Sequence, residues 1–349
     1  KNDLREDTNE NKVLNLDVDK IFKTFYDDSL NETKAALLSD ADSCNLNSIK
    51  SIKDLKPVFD SGCWLGNCDP NERKIYYAAE NGLKEFSTSN KSDMKNIWDL
   101  VDNNSNDNSI NDALSECIIR YIRGEDVSTN PSCNSDYVKR NRKINISEFC
   151  PGSSGVKVWK LGDIIHSTPV VIGNEPLRNY QLRYSDISYY NYIKSDSYKN
   201  RASRVIVGAN DGMLHFFRIG YIKDQINDPD NPSKLQNSPS DEGTDLIAKE
   251  EFAFIPKNAI PYLLWYGHKD YCHVPTLDSS VIVFDASING SPNDDKSVNS
   301  WRTILVGVMG FGGKALQAGT TYSSSVFALD LTDWLNGTAS TPTLLWETN

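Results

Sequence analysis

The sequence has no Cys-x-x-Cys pair and no Cys-x-x-Cys-His. The first absence argues against a paired-thiolate metal site, the second against covalently attached haem. It has no Gly-x-Ser-x-Gly elbow for a serine nucleophile and no glycine-rich loop opening a helix to cradle phosphate. Basic residues are the minority: 37 Lys and Arg stand against 48 Asp and Glu, a net charge of −11. A chain this acidic lacks the basic face that nucleic-acid backbones require. The longest uncharged apolar run, Ala259-Ile-Pro-Tyr-Leu-Leu-Trp-Tyr266, holds a proline and is far too short to span a bilayer. The sequence opens at Lys1 with no signal peptide or cleavage site, so it reads as a fragment of a larger protein.

Cysteine is present and unevenly placed. Of seven cysteines, Cys44, Cys63, Cys68, Cys117, Cys133 and Cys150 fall in the first 150 residues, and Cys272 stands alone beyond them. An even number in an Asn- and Ser-rich, loop-dominated region predicts disulfides and an extracytoplasmic setting. Cys63–Cys68 is the expected local bridge, because a short loop closes cheaply; the other pairings stay open.

The remainder is organised around Arg204-Val-Ile-Val-Gly-Ala-Asn-Asp-Gly-Met-Leu-His-Phe-Phe217. Arg204–Gly208 and Leu214–Phe217 read as strands, with Asn210-Asp211-Gly212 supplying residues that tolerate positive φ. Ser167–Gly173 upstream and Glu251–Pro256 downstream complete a four-stranded antiparallel unit. The unit then repeats as Ser279–Asp285, Trp301–Met309, Ser324–Leu331 and Thr343–Glu347. Repeated four-strand units predict β-propeller blades. The fold expected is therefore mainly β: a partial propeller of quinoprotein-like blades over 155–349, preceded by a disulfide-rich mixed α/β region over 1–154. Two blades do not close a ring, since propellers need roughly four to eight.

Within the first region, helices are expected at Val18–Phe25 and Glu32–Leu38, the second capped by Ser29 or Asn31. A strand is expected at Lys74–Ala78 with a turn at Asn81-Gly82, and helices at Ser92–Leu100 and Ile110–Tyr121. Between those helices, Asn104, Asn106, Asn108, Ile110 and Asp112 alternate. That is the spacing of a calcium loop: side-chain oxygens at positions 1, 3 and 5, a backbone carbonyl at 7 and a further ligand at 9. Only Asp112 of these is charged, so Asp102, Asp107 or Glu116 would have to add charge for tight binding. A solvated loop capping the next helix is the simpler alternative. The acidic stretch Asp224–Asp245 reads as an inserted loop, with Asp228, Asp230, Asp241 and Asp245 a weaker cation candidate because their spacing fits no loop rule.

Four segments recur in an order that resembles the PilC/PilY family of type IV pilus tip adhesins. They are Leu161–Gly173, Val207–His215, Leu305–Gly313 and Val326–Thr332, with weaker likeness at Arg73–Tyr76 and Tyr121–Gly124. The resemblance implies a modified propeller in an exported, extracellular protein at the pilus tip. Its partners would be minor pilins and an unspecified surface or host receptor. Its role would be non-enzymatic: adhesion, with effects on pilus extension and retraction and hence on twitching motility. It also implies a Ca²⁺ loop at Asn104–Asp112, shortly before a receptor tripeptide that here reads Arg123-Gly124-Glu125 where the family's integrin-binding members have Arg-Gly-Asp. The extra methylene displaces the carboxylate, which lowers the expectation of integrin binding.

Two other classes compete. Quinoprotein dehydrogenases share Gly-x-x-Asp-Gly turns, but adjacent Cys-Cys is absent here and His166, His215, His268 and His273 are scattered. His215, alternating along a strand, is expected to be a packed or rim residue rather than a base. A purely structural scaffold of the tip complex uses the same rigid blades and exposed loops.

Overall fold

In the computed structural model, residues 59–102, 110–150, 152–223, 233–288, 296–313, 316–318 and 320–349 are described, together with strand segments within the first 51 residues. The chain divides into two compact units, Lys1–Asp60 with Gly220–Ile247, and Ser61–Ile219 with Ala248–Asn349. Residues 61–154 thus belong to the same unit as the blades.

The first unit is a strand structure. Asp3–Glu6, Lys20–Asp27, Glu32–Ser39 and Ser43–Ser51 form an antiparallel sheet in that order. This corrects the helices expected at Val18–Phe25 and Glu32–Leu38. The stretch Lys20–Asp27 carries Ile21, Phe22, Thr24, Phe25 and Tyr26, residues that favour a pleated surface. Ser29, taken for a helix cap, lies in a turn between the paired Asp27 and Glu32; Asn31 lies outside the described residues. Ser serves caps and turns through the same short polar side chain, so pattern alone misassigned it. A second sheet joins Tyr221–Lys223, Ser233–Gln236 and Val13–Leu14. The Asp224–Asp245 insertion therefore contains a strand. Asn237 donates to the carboxylates of both Asp241 (3.0 Å) and Asp245 (2.9 Å) in the turn that follows. Asp228 and Asp230 lie outside the described residues.

The second unit contains both expected blades. Val170–Ile172, Arg204–Gly208, Leu214–Arg218 and Glu250–Ile255 pair antiparallel in sequence order, as do Ile282–Ser287, Trp301–Val308, Val326–Asp330 and Thr343–Thr348. The first blade is larger than expected. The strand Ile75–Ala79 adds parallel to Glu250–Ile255, and Gly82–Glu85 pairs with it across the Asn81-Gly82 turn, giving six strands. Sequence adjacency could not reveal this join, because it links residues more than 170 positions apart in register Ala253 to Ile75.

Aromatic side chains fill the space between the blades. Phe216 meets the Trp334 ring at 5.5 Å and Phe254 meets Phe327 at 5.0 Å. Phe216, Phe252, Phe254 and Phe327 are all fully buried, and each such side chain contributes roughly 1.5–3 kcal/mol through its burial. The same core takes in the helices Lys91–Val101 and Asp112–Arg123, close to their expected spans. Asn111 caps the second helix by accepting from the Leu114 amide, and Gly124 at φ 106° ends it.

Three short helices, Tyr180–Arg183, Ile187–Lys194 and Asp196–Lys199, interrupt the first blade between its first two strands. The strand pattern gave no sign of them. They bring Tyr189 and Tyr192 against Trp301 of the second blade, with Tyr198 packed edge-on against Tyr192. The buried Asp285 carboxylate accepts from the hydroxyls of Tyr189 (2.8 Å), Tyr198 (3.1 Å) and Thr303 (2.7 Å). Burial, together with that neighbouring carboxylate, pushes the pKa of Tyr189 and Tyr198 well above the ordinary phenol value, so both stay donors.

The expected Cys63–Cys68 bridge is not formed. Cys63 pairs with Cys150, Cys117 with Cys133, and Cys68 is a free thiol. Cys63 lies in the helix Ser61–Asn67, and Cys68 follows its end. Five residues of helix separate two positions by about 7.5 Å along the axis and turn them to different sides, which leaves their sulfurs out of reach of one another.

Candidate interaction face and the charge network beneath it

The antiparallel order of each blade sends the loop before its first strand and the loop between its second and third strands to the same end. At that end the turn Ala209–Met213 is the centre. Its Asn210 and Asp211 are each 1% exposed, and only Gly212 adopts positive φ, at 87°. Asn210 and Asp211 are thus needed for their side chains rather than for backbone freedom. Asn210 donates from its amide group to Asp163 (2.8 Å) and accepts from the Thr276 amide (3.0 Å). Asp211 accepts from the Gly162 amide at 3.0 Å and from Met213 at 3.2 Å. One turn therefore ties together the segment entering the first blade and the segment entering the second.

Two histidines stand on this end. His166 Nδ1 lies 2.6 Å from Asp278, whose other oxygen accepts from the His166 amide, and His273 Nε2 lies 2.8 Å from Asp163. Burial alone would raise the Asp163 pKa, but hydrogen bonds from Asn210 and His273 more than offset it and hold the carboxyl below its usual range. Around these pairs, Ile164, Ile165 and Phe311 are exposed, the last by 77%. Phe311 stands on the turn that follows the second strand of the second blade. A Cβ on Gly312 would lie 1.7 Å from the Thr276 carbonyl, so only glycine lets the second-blade turn pass this close.

Directly below, charge is buried in balance. Arg73 grips Glu250 through two hydrogen bonds of 2.8 and 2.9 Å, Glu250 holds His215 Nδ1 at 2.7 Å, and His215 Nε2 reaches Asp211 at 3.1 Å. Burial disfavours charge on His215, yet Asp211 and Glu250 outweigh it and push its pKa up to about 9. Burial likewise works against the Glu250 carboxylate, but Arg73 and His215 pull its pKa well below the ordinary value. Two positive groups therefore face two negative ones. His215 is fully buried, as expected for a packed residue, and the network's geometry is that of a clasp between the Arg73 segment and the first blade.

Of the proposed calcium ligands, Asn104, Asn106 and Asn108 lie outside the described residues. Ile110 is buried, its amide donating to Asp99 at 3.0 Å. Asp112 is exposed in the first helical turn. The supplementary ligands are already engaged: Asp102 accepts from the Tyr137 hydroxyl (2.8 Å), and Glu116 pairs with Lys91 (3.2 Å) and Arg120 (2.9 Å). Asp107 lies outside the described residues. Among the described residues no group of three or more His, Cys, Asp or Glu is arranged to hold a metal.

The tripeptide Arg123-Gly124-Glu125 has a structural occupation. Arg123 is 6% exposed, and its guanidinium donates to the carbonyls of Phe86 (2.7 Å), Arg73 (2.7 Å) and Pro70 (3.0 Å). A receptor cannot reach it. Replacing Arg123 with Met should strand these buried acceptors and cost about 2–4 kcal/mol. Urea denaturation would check this, and a loss under 0.5 kcal/mol would contradict it.

These features define a blade-built β-protein whose organised surface is the loop end of its blades. The PilY1 beta-propeller domain family model matches residues 161–349, spanning both blades, and the chain belongs to that family. Among curated proteins it is similar to a type IV pilus biogenesis factor PilY1 homolog of Xylella fastidiosa (strain Temecula1), at 32% identity over 230 residues, 66% of this chain and 13% of that protein. It is also similar to type IV pilus biogenesis factor PilY1 of Pseudomonas aeruginosa (strain UCBPP-PA14), at 28% identity over 294 residues, 82% of this chain and 19% of that protein. The chain thus spans less than a fifth of the length of these relatives. No solved structure matches it significantly. No helix among the described residues is long and apolar enough to cross a membrane.

Proposed function

We propose that this chain is the blade-bearing part of a non-enzymatic, exported type IV pilus protein that acts at the pilus tip. There it contacts minor pilins, mediates attachment to a surface or host cell, and modulates extension and retraction. The observation that carries the reading is the family membership across both blades. The blade end agrees with it: a hydrogen-bonded platform from which Ile164, Ile165 and Phe311 project, an arrangement suited to a macromolecular contact. The buried His215, clasped on both nitrogens, offers no base to a substrate.

The test is a full-length protein carrying Ile165→Asp and Phe311→Ala, returned to a piliated strain lacking its own copy. Pilus-dependent attachment should fall at least ten-fold while the folded chain's unfolding midpoint stays unchanged, since both side chains are exposed. Unaltered attachment would remove the blade end from the contact.

Calcium control belongs to the same proposal. A Ca²⁺ held by Asn104, Asn106, Asn108, the Ile110 carbonyl and Asp112 would tie together the ends of two helices that are themselves packed in the core. Saturable calorimetric Ca²⁺ binding should disappear in Asp112→Ala and in Asn104→Ala. Binding that survives both substitutions would place the ion elsewhere.

A further inference from the structure

A cavity of about 570 Å³ opens in the cysteine-rich part of the second unit, beside the Cys117–Cys133 disulfide. Its charges do not balance. Asp126 on its wall is paired with Lys143 at 2.6 Å, Lys139 is paired with Asp136 at 2.9 Å, and Glu125 faces Arg120 at 3.8 Å. That leaves Arg140 and Arg142, which line the same cavity and have no carboxylate partner among the described residues.

Arg142 is the stronger sign. It is 9% exposed, and its guanidinium carbon sits 4.1 Å over the centre of the Tyr121 ring while Nη2 donates to the Tyr121 carbonyl. Its Nε and Nη1 are buried with no hydrogen-bond partner. A buried guanidinium with two unmet donor nitrogens costs stability, and it is held by stacking and a single carbonyl rather than by an anion. Arg140 is held in a similar way, 3.8 Å over the Tyr271 ring with Nη1 on the Tyr266 carbonyl. Two guanidiniums prepositioned on aromatic faces and lacking an anion form a fork for a planar carboxylate. The rest of the wall mixes the polar Thr129 and Asn134 with the apolar Val127 and Val138. Such a lining suits a hydroxyl-bearing ring whose faces are apolar and whose edges hydrogen-bond. The volume is that of an ordinary small-molecule site.

We infer that this cavity binds an acidic sugar residue, its carboxylate received by Arg142 and Arg140. This site is separate from the blade end, and the inference does not rest on the proposed pilus role.

The experiment is calorimetric titration of the whole chain with D-glucuronate, with D-glucose and sodium sulfate as the comparison probes. Glucuronate should bind saturably, glucose should not, and sulfate should bind at least ten-fold more weakly. Arg142→Gln and Arg140→Gln should each weaken glucuronate at least about ten-fold, the loss expected for a charge-assisted pair. Arg142→Lys, which keeps the charge but loses the fork, should weaken it too. Each variant's unfolding midpoint is measured alongside, and Arg140→Gln, at a less buried position, keeps the test decisive if Arg142→Gln does not fold. Phe311→Ala, at the blade end, should leave binding unchanged. Absence of glucuronate binding, binding indifferent to both arginine substitutions, or sulfate binding as tight as glucuronate would each overturn the inference.

Discussion

Glu250→Gln should be among the most damaging single substitutions in this chain. The change is nearly isosteric, yet it removes the one carboxylate shared by Arg73 and His215, both without solvent access. Arg73 then remains buried and charged with its bidentate partner neutralised. Breaking a buried ion pair from one side costs about 3–5 kcal/mol. For a unit of this size that lowers the melting temperature by on the order of 10 °C. Replacing both partners, as in Arg73→Met with Glu250→Met, should cost less than the sum of the two single changes, because no orphaned charge is left. Calorimetric melting of the four proteins closes the cycle, and strictly additive losses would show that the clasp is not energetically coupled.

The same network fixes a pH profile. The folded-state pKa of His215 is raised from 6.5 to about 9, so its contribution is complete below about pH 6.5 and fades as pH climbs through 9. Glu250 is depressed below its ordinary 4.5, so its contribution is complete above that value and fades as the solution becomes more acidic. Stability from the clasp is therefore greatest between these limits. The alkaline decline should flatten in His215→Gln, itself less stable than the parent at pH 6. An alkaline limb of unchanged steepness would assign it to other groups.

The second large effect concerns the disulfides. Cys63–Cys150 closes a separation of 87 residues and Cys117–Cys133 one of 16. Loop-closure entropy predicts losses of about 4.6 and about 3 kcal/mol when each is replaced by a Ser pair. The longer bridge also fastens the helix Ser61–Asn67, whose Leu65 packs under Val207 and Phe217 of the first blade. Urea unfolding of the two double-Ser proteins should rank Cys63–Cys150 as the costlier loss. Equal losses, or the reverse order, would mean that the chain without the longer bridge is already constrained by other contacts.

Much of this molecule is written locally. The eight blade strands followed from short β-branched and aromatic runs ended by Gly, Pro and Asp. Helices Lys91–Val101 and Asp112–Arg123 followed from apolar spacing, and the turn at Asn81-Gly82 from its dipeptide. The family likeness rested on the turns as much as on the strands, because Gly212 and Gly312 occupy backbone positions that other residues cannot fill cheaply. Local pattern misread Lys20–Asp27 and Glu32–Ser39, where apolar residues clustered in a way that fits either period and the deciding factor was pairing with neighbouring strands.

What only the tertiary structure decided involves residues far apart in sequence. The parallel addition of Ile75–Ala79 to the first blade, the partner of Cys63 and the clasp from Arg73 to Glu250 all span at least 87 positions. The role of Arg123 was hidden for a related reason. As a tripeptide, Arg123-Gly124-Glu125 stood only as a weakened counterpart of the family's receptor motif, whereas in the fold the guanidinium satisfies carbonyls of a loop some 50 residues earlier. The unpaired guanidiniums of Arg140 and Arg142 are equally invisible in sequence. A charge's partner is set by three-dimensional proximity, and a one-dimensional pattern records only which charges exist.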